Sequence, residues 1–198
     1  QEGRTVLRVL RGGREQMVLS TPIYGRHNIS NLLAAVVLSD FLHIEPLPLQ
    51  EAVRTFRGVR RRQEIKGEAG GILVLDDFAH HPTAVRETIR AVRERFATRR
   101  LVAVFEPRSN SSRRKVFQQA YASSFDLADL ILIPEPPLME KVPPSERFSS
   151  KELVEDLVLK GLQSFYCANT DVLLEEILRR CHSGDVVLFM SNGAFDSL

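Results

Sequence analysis

Short apolar runs alternate with amphipathic stretches through the second part of the chain, from Gly71 onward. Short apolar runs are typical of buried strands, and the stretches between them have the spacing of helices with one apolar face. Their regular succession predicts an α/β domain with a mostly parallel sheet. The predicted strands are Ile72–Leu75, Leu101–Phe105, Leu130–Ile133, Ser164–Cys167 and Val186–Met190; the predicted helices are Thr83–Phe96, Arg113–Phe125, Lys151–Lys160 and Val172–Cys181, with Ser150 and Thr170 as N-caps.

The first part of the chain has a different pattern. Two short apolar runs flank Gly12 and Gly13, which supply the positive φ that tight hairpin turns need. Segments rich in alanine and leucine follow and predict two helices, the first of them mostly buried. These elements are the hairpin strands Thr5–Leu10 and Gln16–Leu19 and the helices 27–42 and Leu49–Phe56, with Pro46 and Pro48 ending the first helix. Because Gly58 suits a helix terminator, we predict a boundary between residues 1–57 and 58–198.

Composition narrows the class of protein. Hydrophobic residues make up 43% and charged residues 26%, which indicates a globular protein. The formal net charge is only +2, so bulk charge predicts no nucleic-acid partner. No apolar run approaches the roughly 20 residues of a membrane span, and no signal pattern opens the sequence. Cys167 and Cys181 have no disulfide or zinc spacing, which favours a cytoplasmic protein with reduced thiols. The first residue is Gln1 and not methionine, which suggests that the chain is part of a longer protein.

Three polar motifs directly follow predicted strands. They are Asp76-Asp77-Phe78-Ala79-His80-His81-Pro82-Thr83, Glu106-Pro107-Arg108-Ser109-Asn110 and Ser191-Asn192-Gly193-Ala194. In open α/β sheets, ligands bind at the carboxyl ends of the strands. The carboxylates could bind ribose or a cation, the imidazoles a substrate or, less readily, a metal, and the guanidinium of Arg108 a carboxylate. Ordinary turn chemistry is the alternative for the second and third motifs.

Two further motifs lie nearer the predicted boundary. Asn28 and Asn31 fall on one helical face and could read a purine edge, although capping of the helix by Asn28 is the simpler interpretation of the residues alone. The run Arg60-Arg61-Arg62 could neutralise a phosphate or could be a solvated hinge. No GxxxxGK[ST] phosphate loop occurs in the chain, so its residues alone predict no ATP turnover.

Taken together, GRHNISN, VRRRQE, DDFAHHPT, EPRSN and MSNGAF resemble, in order and spacing, the motifs of the Mur ligases, ATP-dependent enzymes that build the peptide of bacterial cell-wall precursors. The resemblance covers essentially the whole chain. It implies that residues 1–57 end the central ATP-binding domain and that 58–198 form the Rossmann-like C-terminal domain. The phosphate loop, the Mg²⁺ ligands and the UDP-sugar domain would lie upstream, and the family's final helix would be cut short at Leu198.

The resemblance also implies roles for individual residues. Asn28 and Asn31 would contact the nucleotide, Arg62 would act in catalysis near the γ-phosphate of ATP, and Asp77 would face the ribose. The substrate side would be lined by His80, His81, Arg108, Ser109, Asn110, Ser191 and Asn192.

Within the family, EPRSN and MSNG resemble the muropeptide ligases, which join UDP-N-acetylmuramate to the recycled tripeptide L-alanyl-γ-D-glutamyl-meso-diaminopimelate. DDFAHHPT is similar to the UDP-N-acetylmuramate–L-alanine ligases, but those enzymes usually carry a histidine and arginine pair where this chain has Arg108-Ser109. The tripeptide is therefore the preferred acceptor, with L-alanine as the alternative. Two other hypotheses are a non-catalytic nucleotide- or peptide-binding module and a metal-dependent hydrolase centred on Asp76, Asp77, His80 and His81.

Overall fold

The computed structural model of the protein describes residues 3–193 and residue 195, and its internal contacts divide the chain into two compact units. The first unit is Gln1–Val59 and the second is Arg60–Leu198. Gln1, Leu198 and Ala194 of the third strand-end motif lie outside the described residues. The assignment of the first unit to an ATP-binding domain stays a prediction.

The first unit consists of a β-hairpin and two helices. Strand β1 (Thr5–Arg11) pairs with β2 (Arg14–Thr21) in antiparallel fashion, as predicted, and helices α1 (Arg26–Phe41) and α2 (Pro46–Thr55) follow. Both glycines of the turn have positive φ, 56° at Gly12 and 79° at Gly13, which a residue with a Cβ rarely adopts. The small core of this unit consists of Leu19, Val36 and Val53.

Two predictions for these helices are wrong. Val36 is the one buried residue within α1, and Val37 and Phe41 are 62% and 76% exposed, so this helix is not mostly buried. Alanine and leucine content indicates a helix but does not set how many neighbours surround it. Pro46 begins α2 instead of ending α1, because the fixed φ and missing N–H of proline are compatible with the first helical turn.

The second unit contains a six-stranded sheet with helices between its strands. The elements are β3 (Glu64–Ala69), β4 (Ile72–Asp77), α3 (Pro82–Arg95), β5 (Leu101–Phe105), α4 (Gln118–Tyr121), β6 (Leu130–Pro134), α5 (Ser150–Leu159), β7 (Ser164–Cys167), α6 (Thr170–Arg180) and β8 (Val186–Met190). The strand order is β3-β4-β8-β5-β6-β7, and only the β3–β4 pair is antiparallel. The predicted α/β fold with a mostly parallel sheet is confirmed.

The central strands are buried on both faces, which explains their unbroken apolar sequences. On one face, Val102 and Val104 of β5 belong to a core cluster that also includes Leu173 of α6. On the other face, the ring of Phe105 packs against Tyr121 and Phe125 at centroid distances of 4.9 and 5.7 Å. Strand β8, the most C-terminal of the named strands, lies between β4 and β5 and brings their carboxyl ends together with its own.

Several local predictions for this unit need correction. Strand β3 is absent from the predicted elements, because its residues are polar and mostly exposed at the sheet edge. The predicted helix Arg113–Phe125 shrinks to α4 and a short 3-10 turn, Lys115–Phe117. The N-caps of α5 and α6 are Ser149 and Asn169, one residue before the predicted ones. An N-cap lies outside the helix in extended conformation, whereas the Ser150 hydroxyl donates to the Pro134 carbonyl at 2.8 Å.

No helix within the described part of the chain is long and apolar enough to span a membrane.

Candidate functional site

The loops that follow β4, β5 and β8 meet at one edge of the sheet. The Ser191 amide donates to the Asp77 carbonyl at 3.1 Å, and the Glu106 amide donates to the Met190 carbonyl at 3.0 Å. These backbone bonds continue the parallel pairing beyond the strands and hold the three loops side by side. The three strand-end motifs therefore form one contiguous cluster, as expected for the ligand edge of an α/β sheet.

Asp77 is buried at the centre of this cluster, with 3% of its surface exposed. One carboxylate oxygen accepts the Gln63 amide at 2.8 Å, and the other accepts the Ala79 amide at 2.7 Å and the Thr88 hydroxyl at 3.4 Å. Such bonds stabilise a buried carboxylate and fix both loop segments. Asp77 thus acts as a structural anchor in this structure, and its contact with the ribose stays a prediction.

Arg61 connects the start of the second unit to the cluster, and its neighbour Arg62 does not. Its guanidinium donates to the Asp76 carboxylate at 3.1 Å, to the Ser191 carbonyl at 2.8 Å and to the carbonyl of Gly193. Its own carbonyl accepts the Phe78 amide at 2.8 Å, and its φ is 56°, a strained value for a residue with a side chain. Of the three arginines, Arg62 is the predicted site residue, and this role of Arg61 is not among the predictions.

Arg62 is exposed and stacks on an aromatic ring. Its guanidinium carbon lies 5.2 Å from the centroid of Phe78, and that of Arg61 lies 5.4 Å from the same centroid. A guanidinium over an aromatic face keeps a defined orientation while its N–H groups remain able to reach an anion. The geometry is compatible with the predicted phosphate contact but does not test it.

The two histidines have opposite hydrogen-bonding roles. His80 Nδ1 lies 2.9 Å from the Phe78 carbonyl, so this nitrogen donates and Nε2 is left as an acceptor in the neutral ring. His81 is the N-cap of α3, and its Nδ1 accepts the Thr83 amide at 3.3 Å, so Nε2 is the donor. The pair therefore offers a ligand one acceptor and one donor. Nowhere in the described ranges do three or more His, Cys, Asp or Glu side chains form a metal-binding group.

A buried carboxylate joins the β5 and β8 loops. Glu106 is 3% exposed; it accepts the Ser191 hydroxyl at 2.5 Å and pairs with Arg108 Nη1 at 3.4 Å. The same hydroxyl accepts the Gly193 amide at 2.8 Å. The Arg108 side chain crosses directly over Gly193, where an added Cβ would lie 2.0 Å from Arg108 Cδ. Arg108 keeps 31% of its side chain exposed, so this network holds a guanidinium at the rim of the cluster.

The turn after Arg108 is held by its own polar groups. The Ser109 hydroxyl accepts the Ser112 amide at 3.0 Å and donates to the Ser112 hydroxyl at 2.8 Å. Asn110 is exposed, and its Oδ1 accepts Arg113 Nη2 at 2.7 Å. Of the predicted substrate residues here, Ser109 is thus largely engaged inside the turn, whereas Arg108 and Asn110 face its surface.

Asn192 completes the third loop. Its Oδ1 is inaccessible to solvent and has no hydrogen-bond partner within the part of the chain that the structure describes. A buried amide oxygen without a donor costs free energy, about 1–3 kcal/mol for a typical polar group. Asn192 is therefore a position where a ligand that rearranges the loop could add a hydrogen bond.

Asn28 and Asn31 belong to the first unit. Both lie on α1, and Asn28 Nδ2 donates to the Tyr24 carbonyl at 2.9 Å. The N-cap of α1 is Gly25, which has no side-chain capping bond, so Asn28 is not the cap that the simpler interpretation expected. Asn31 is exposed. Their contact with a nucleotide stays a prediction.

The fold and these strand-end motifs match a known family. Residues 61–193 match the family described as Mur ligase, glutamate ligase domain. The chain belongs to the Mur ligase family.

Curated relatives and solved structures agree with this assignment. The UDP-N-acetylmuramate–L-alanine ligase of Acaryochloris marina is 34% identical over 96% of the chain and 40% of the relative. The UDP-N-acetylmuramate–L-alanyl-γ-D-glutamyl-meso-2,6-diaminoheptandioate ligase of Escherichia coli is 32% identical over 96% of the chain and 40% of the relative. The crystal structure of UDP-N-acetylmuramate-alanine ligase from Thermotoga maritima covers 98% of this chain and 41% of its own at 25% identity, with a TM-score of 0.80.

A murein peptide ligase from Psychrobacter arcticus is also similar, at 30% identity and a TM-score of 0.68 over 91% of this chain and 37% of its own. The chain thus spans about two fifths of the length of the relatives it matches. Enzymes with L-alanine and with the tripeptide in their names are nearly equally similar, so the preference for the tripeptide is not established by these relatives.

Proposed function

We propose that the chain is the C-terminal part of an ATP-dependent ligase that joins the carboxylate of UDP-N-acetylmuramate to the amine of an amino acid or peptide. The observation that carries this proposal is the cluster at the strand ends, where Arg108 is held at the rim by Glu106 and lies directly over Gly193. The names of the similar enzymes support the reaction class. The proposed process is the synthesis or recycling of cell-wall peptide.

The chain's residues would contribute orientation and charge. ATP would transfer its γ-phosphoryl group to the muramate carboxylate, giving an acyl phosphate and ADP. The acceptor amine would then attack the acyl carbon, with loss of inorganic phosphate and a proton. Arg62 would neutralise charge on the transferred phosphoryl group, and Asn28 and Asn31 would contact the base. As the resemblance to the family implies, we expect the protein ligands of Mg²⁺ outside this chain.

The acceptor would bind at the Arg108 rim. Arg108 can hold a carboxylate of the acceptor through its planar fork, and Asn110 lies exposed two residues further along the same turn. His80 Nε2 and His81 Nε2, which the Nδ1 contacts leave as an acceptor and a donor, would contribute to binding of the substrate. Catalysis would then depend on alignment of the amine instead of a covalent side-chain nucleophile.

Two acceptors are supported by different observations. The relatives favour L-alanine at least as well as the tripeptide, since most of the similar enzymes carry alanine in their names. Arg108-Ser109 at the end of β5 favours the tripeptide L-alanyl-γ-D-glutamyl-meso-diaminopimelate, because a guanidinium suits its additional carboxylates. L-Alanine and the tripeptide are therefore compared as acceptors in the same assay.

The proposal predicts acceptor-dependent turnover by a full-length protein that contains this chain. With ATP, Mg²⁺ and UDP-N-acetylmuramate, we expect phosphate release and a product of the mass of the amide with L-alanine or the tripeptide, and the ratio of kcat/KM identifies the acceptor. The 198-residue chain alone should give no ATP turnover above a denatured control. Binding of ATP or acceptor by the full-length protein without turnover would favour the non-catalytic module.

Gly193→Ala should raise the KM of the acceptor about tenfold and spare that of ATP. The new Cβ would lie 2.0 Å from Arg108 Cδ and 2.5 Å from its Nε, so the Arg108 side chain must leave its position. The backbone of Gly193 is not in the left-handed region, so alanine is compatible with its φ. In an Arg108→Ala background the same substitution should have no further effect, because the displaced atoms are absent. Additive effects would show that Gly193 acts independently of Arg108.

A further inference from the structure

Arg113 is a buried cation whose hydrogen-bond partners among the described residues are neutral. It is 6% exposed, and its guanidinium donates to the Leu138 carbonyl at 2.9 Å, the Asn110 side chain at 2.7 Å and the Ser109 carbonyl at 3.4 Å. Within residues 3–193 and 195, no Asp or Glu forms an ion pair with it. Buried charges are normally paired with an opposite charge, so this arrangement requires a reason.

The partner at the surface of this arrangement is Asn110. A guanidinium can only donate hydrogen bonds, so the oxygen of the Asn110 amide must face Arg113. The amide is planar, so its Nδ2 group points away from Arg113. Asn110 is exposed, so this group lies at the surface. Arg113 thus fixes which end of the amide is presented at the surface, and that end is a donor.

We infer that Arg113 is a positioning residue that presents Asn110 Nδ2 to a carboxylate of the acceptor, in the same turn as Arg108. This inference rests on the proposed function, since the carboxylate belongs to the acceptor amino acid or peptide. Arg108 and Asn110 then offer donors only, and a carboxylate is an acceptor only. The turn is selective for the charged end of the acceptor because both side chains lack an outward-facing acceptor.

The identity of residue 110 supports this assignment. An aspartate at this position would have the same shape and would give Arg113 a counter-charge at hydrogen-bond distance, which would stabilise the buried cation. It would also turn an oxygen toward the ligand and repel a carboxylate. Asparagine lacks the stabilising ion pair and retains the outward donor, which is the arrangement that binding of an anionic group requires.

Asn110→Asp separates the hydrogen bond with Arg113 from the contact with the acceptor. It should raise the stability of the protein and weaken the binding of the acceptor. In the full-length ligase we expect the Tm to rise by about 2 °C or more, since Arg113 gains a counter-charge. The KM of the acceptor should rise at least tenfold, and the KM of ATP should stay unchanged. Asn110→Ala should lower the Tm and raise the acceptor KM, because it removes both the partner of Arg113 and the donor.

Gln119→Glu is the matched control, because it adds the same charge at an exposed residue of α4 and should change neither quantity. A lower Tm for Asn110→Asp would show that Arg113 does not hold the amide oxygen, and an unchanged acceptor KM would show that Nδ2 does not meet the substrate. Either result overturns the inference. Absence of ligase activity in the wild-type protein would remove the proposed function and with it the carboxylate contact, whereas the Tm of the variants reports on the Arg113 arrangement alone.

Discussion

Arg62→Ala in the full-length ligase is expected to lower kcat by about 100-fold or more and to change the acceptor KM by less than about threefold. A cation near a transferred phosphoryl group contributes most in the transition state, where charge on the phosphoryl oxygens is redistributed. The exposed guanidinium of Arg62 is oriented by the ring of Phe78, whose centroid lies 5.2 Å from its Cζ atom. The measurement is a set of initial rates with ATP and acceptor varied separately.

The two neighbouring arginines are internal controls for this prediction. Arg60 is exposed and carries the same charge in the same segment, so Arg60→Ala should leave kcat almost unchanged. Arg61 holds Asp76 and the carbonyls of Ser191 and Gly193, so Arg61→Ala should lower the Tm and affect all substrates. A loss confined to the acceptor KM in Arg62→Ala would place Arg62 at the acceptor site instead of the phosphate.

The parallel sheet could be predicted because its strands carry their own signal. Leu101–Phe105 and Val186–Met190 have the predicted bounds, since strands covered on both faces are apolar without interruption. Ser164–Cys167, at the edge of the sheet, also has the predicted bounds. β3 could not be predicted in the same way. Its residues are polar, and its conformation depends on pairing with β4, which brings Glu64 opposite Asp76.

For the site, the location of individual residues could be predicted from the sequence, and their partners could not. The strand-end location of Asp77, Arg108 and Ser191 follows from local sequence, because polar residues directly after a buried strand must lie at the sheet edge. The partners of these residues are distant in sequence: Glu106 meets Ser191 across 85 positions, and Arg61 reaches Gly193 across 132. Such pairs depend on the insertion of β8 between β4 and β5, which the succession of strands and helices does not specify.

Local sequence does not distinguish the three arginines of the run either. In the sequence, Arg60, Arg61 and Arg62 are equivalent neighbours, and only the resemblance selects Arg62. In the structure, the left-handed conformation of Arg61 turns its side chain into the strand-end cluster and leaves Arg62 exposed. No composition or spacing signal marks one of three consecutive arginines for this conformation.

Arg108→Ala should raise the KM of the acceptor at least tenfold, about 1.4 kcal/mol, and should leave the KM of ATP within about twofold. The guanidinium is 31% exposed at the rim, next to the exposed turn residue Asn110, so its loss would remove the proposed bidentate contact with a carboxylate. Arg108→Lys should recover only part of this effect, because an ammonium is a point charge without the planar fork.

Loss of Arg108 should affect stability as well as binding of the acceptor, and the experiment must distinguish the two effects. Arg108 also pairs with Glu106, whose side chain is only 4% exposed, so its removal leaves a buried carboxylate without a cation and should lower the Tm. The double variant Arg108→Ala/Glu106→Gln removes the buried charge, while the glutamine oxygen can still accept the Ser191 hydroxyl. We therefore expect the double variant to recover most of the lost Tm and to keep the raised acceptor KM. If the acceptor KM returns to the wild-type value together with the Tm, Arg108 stabilises the loop and does not bind the acceptor.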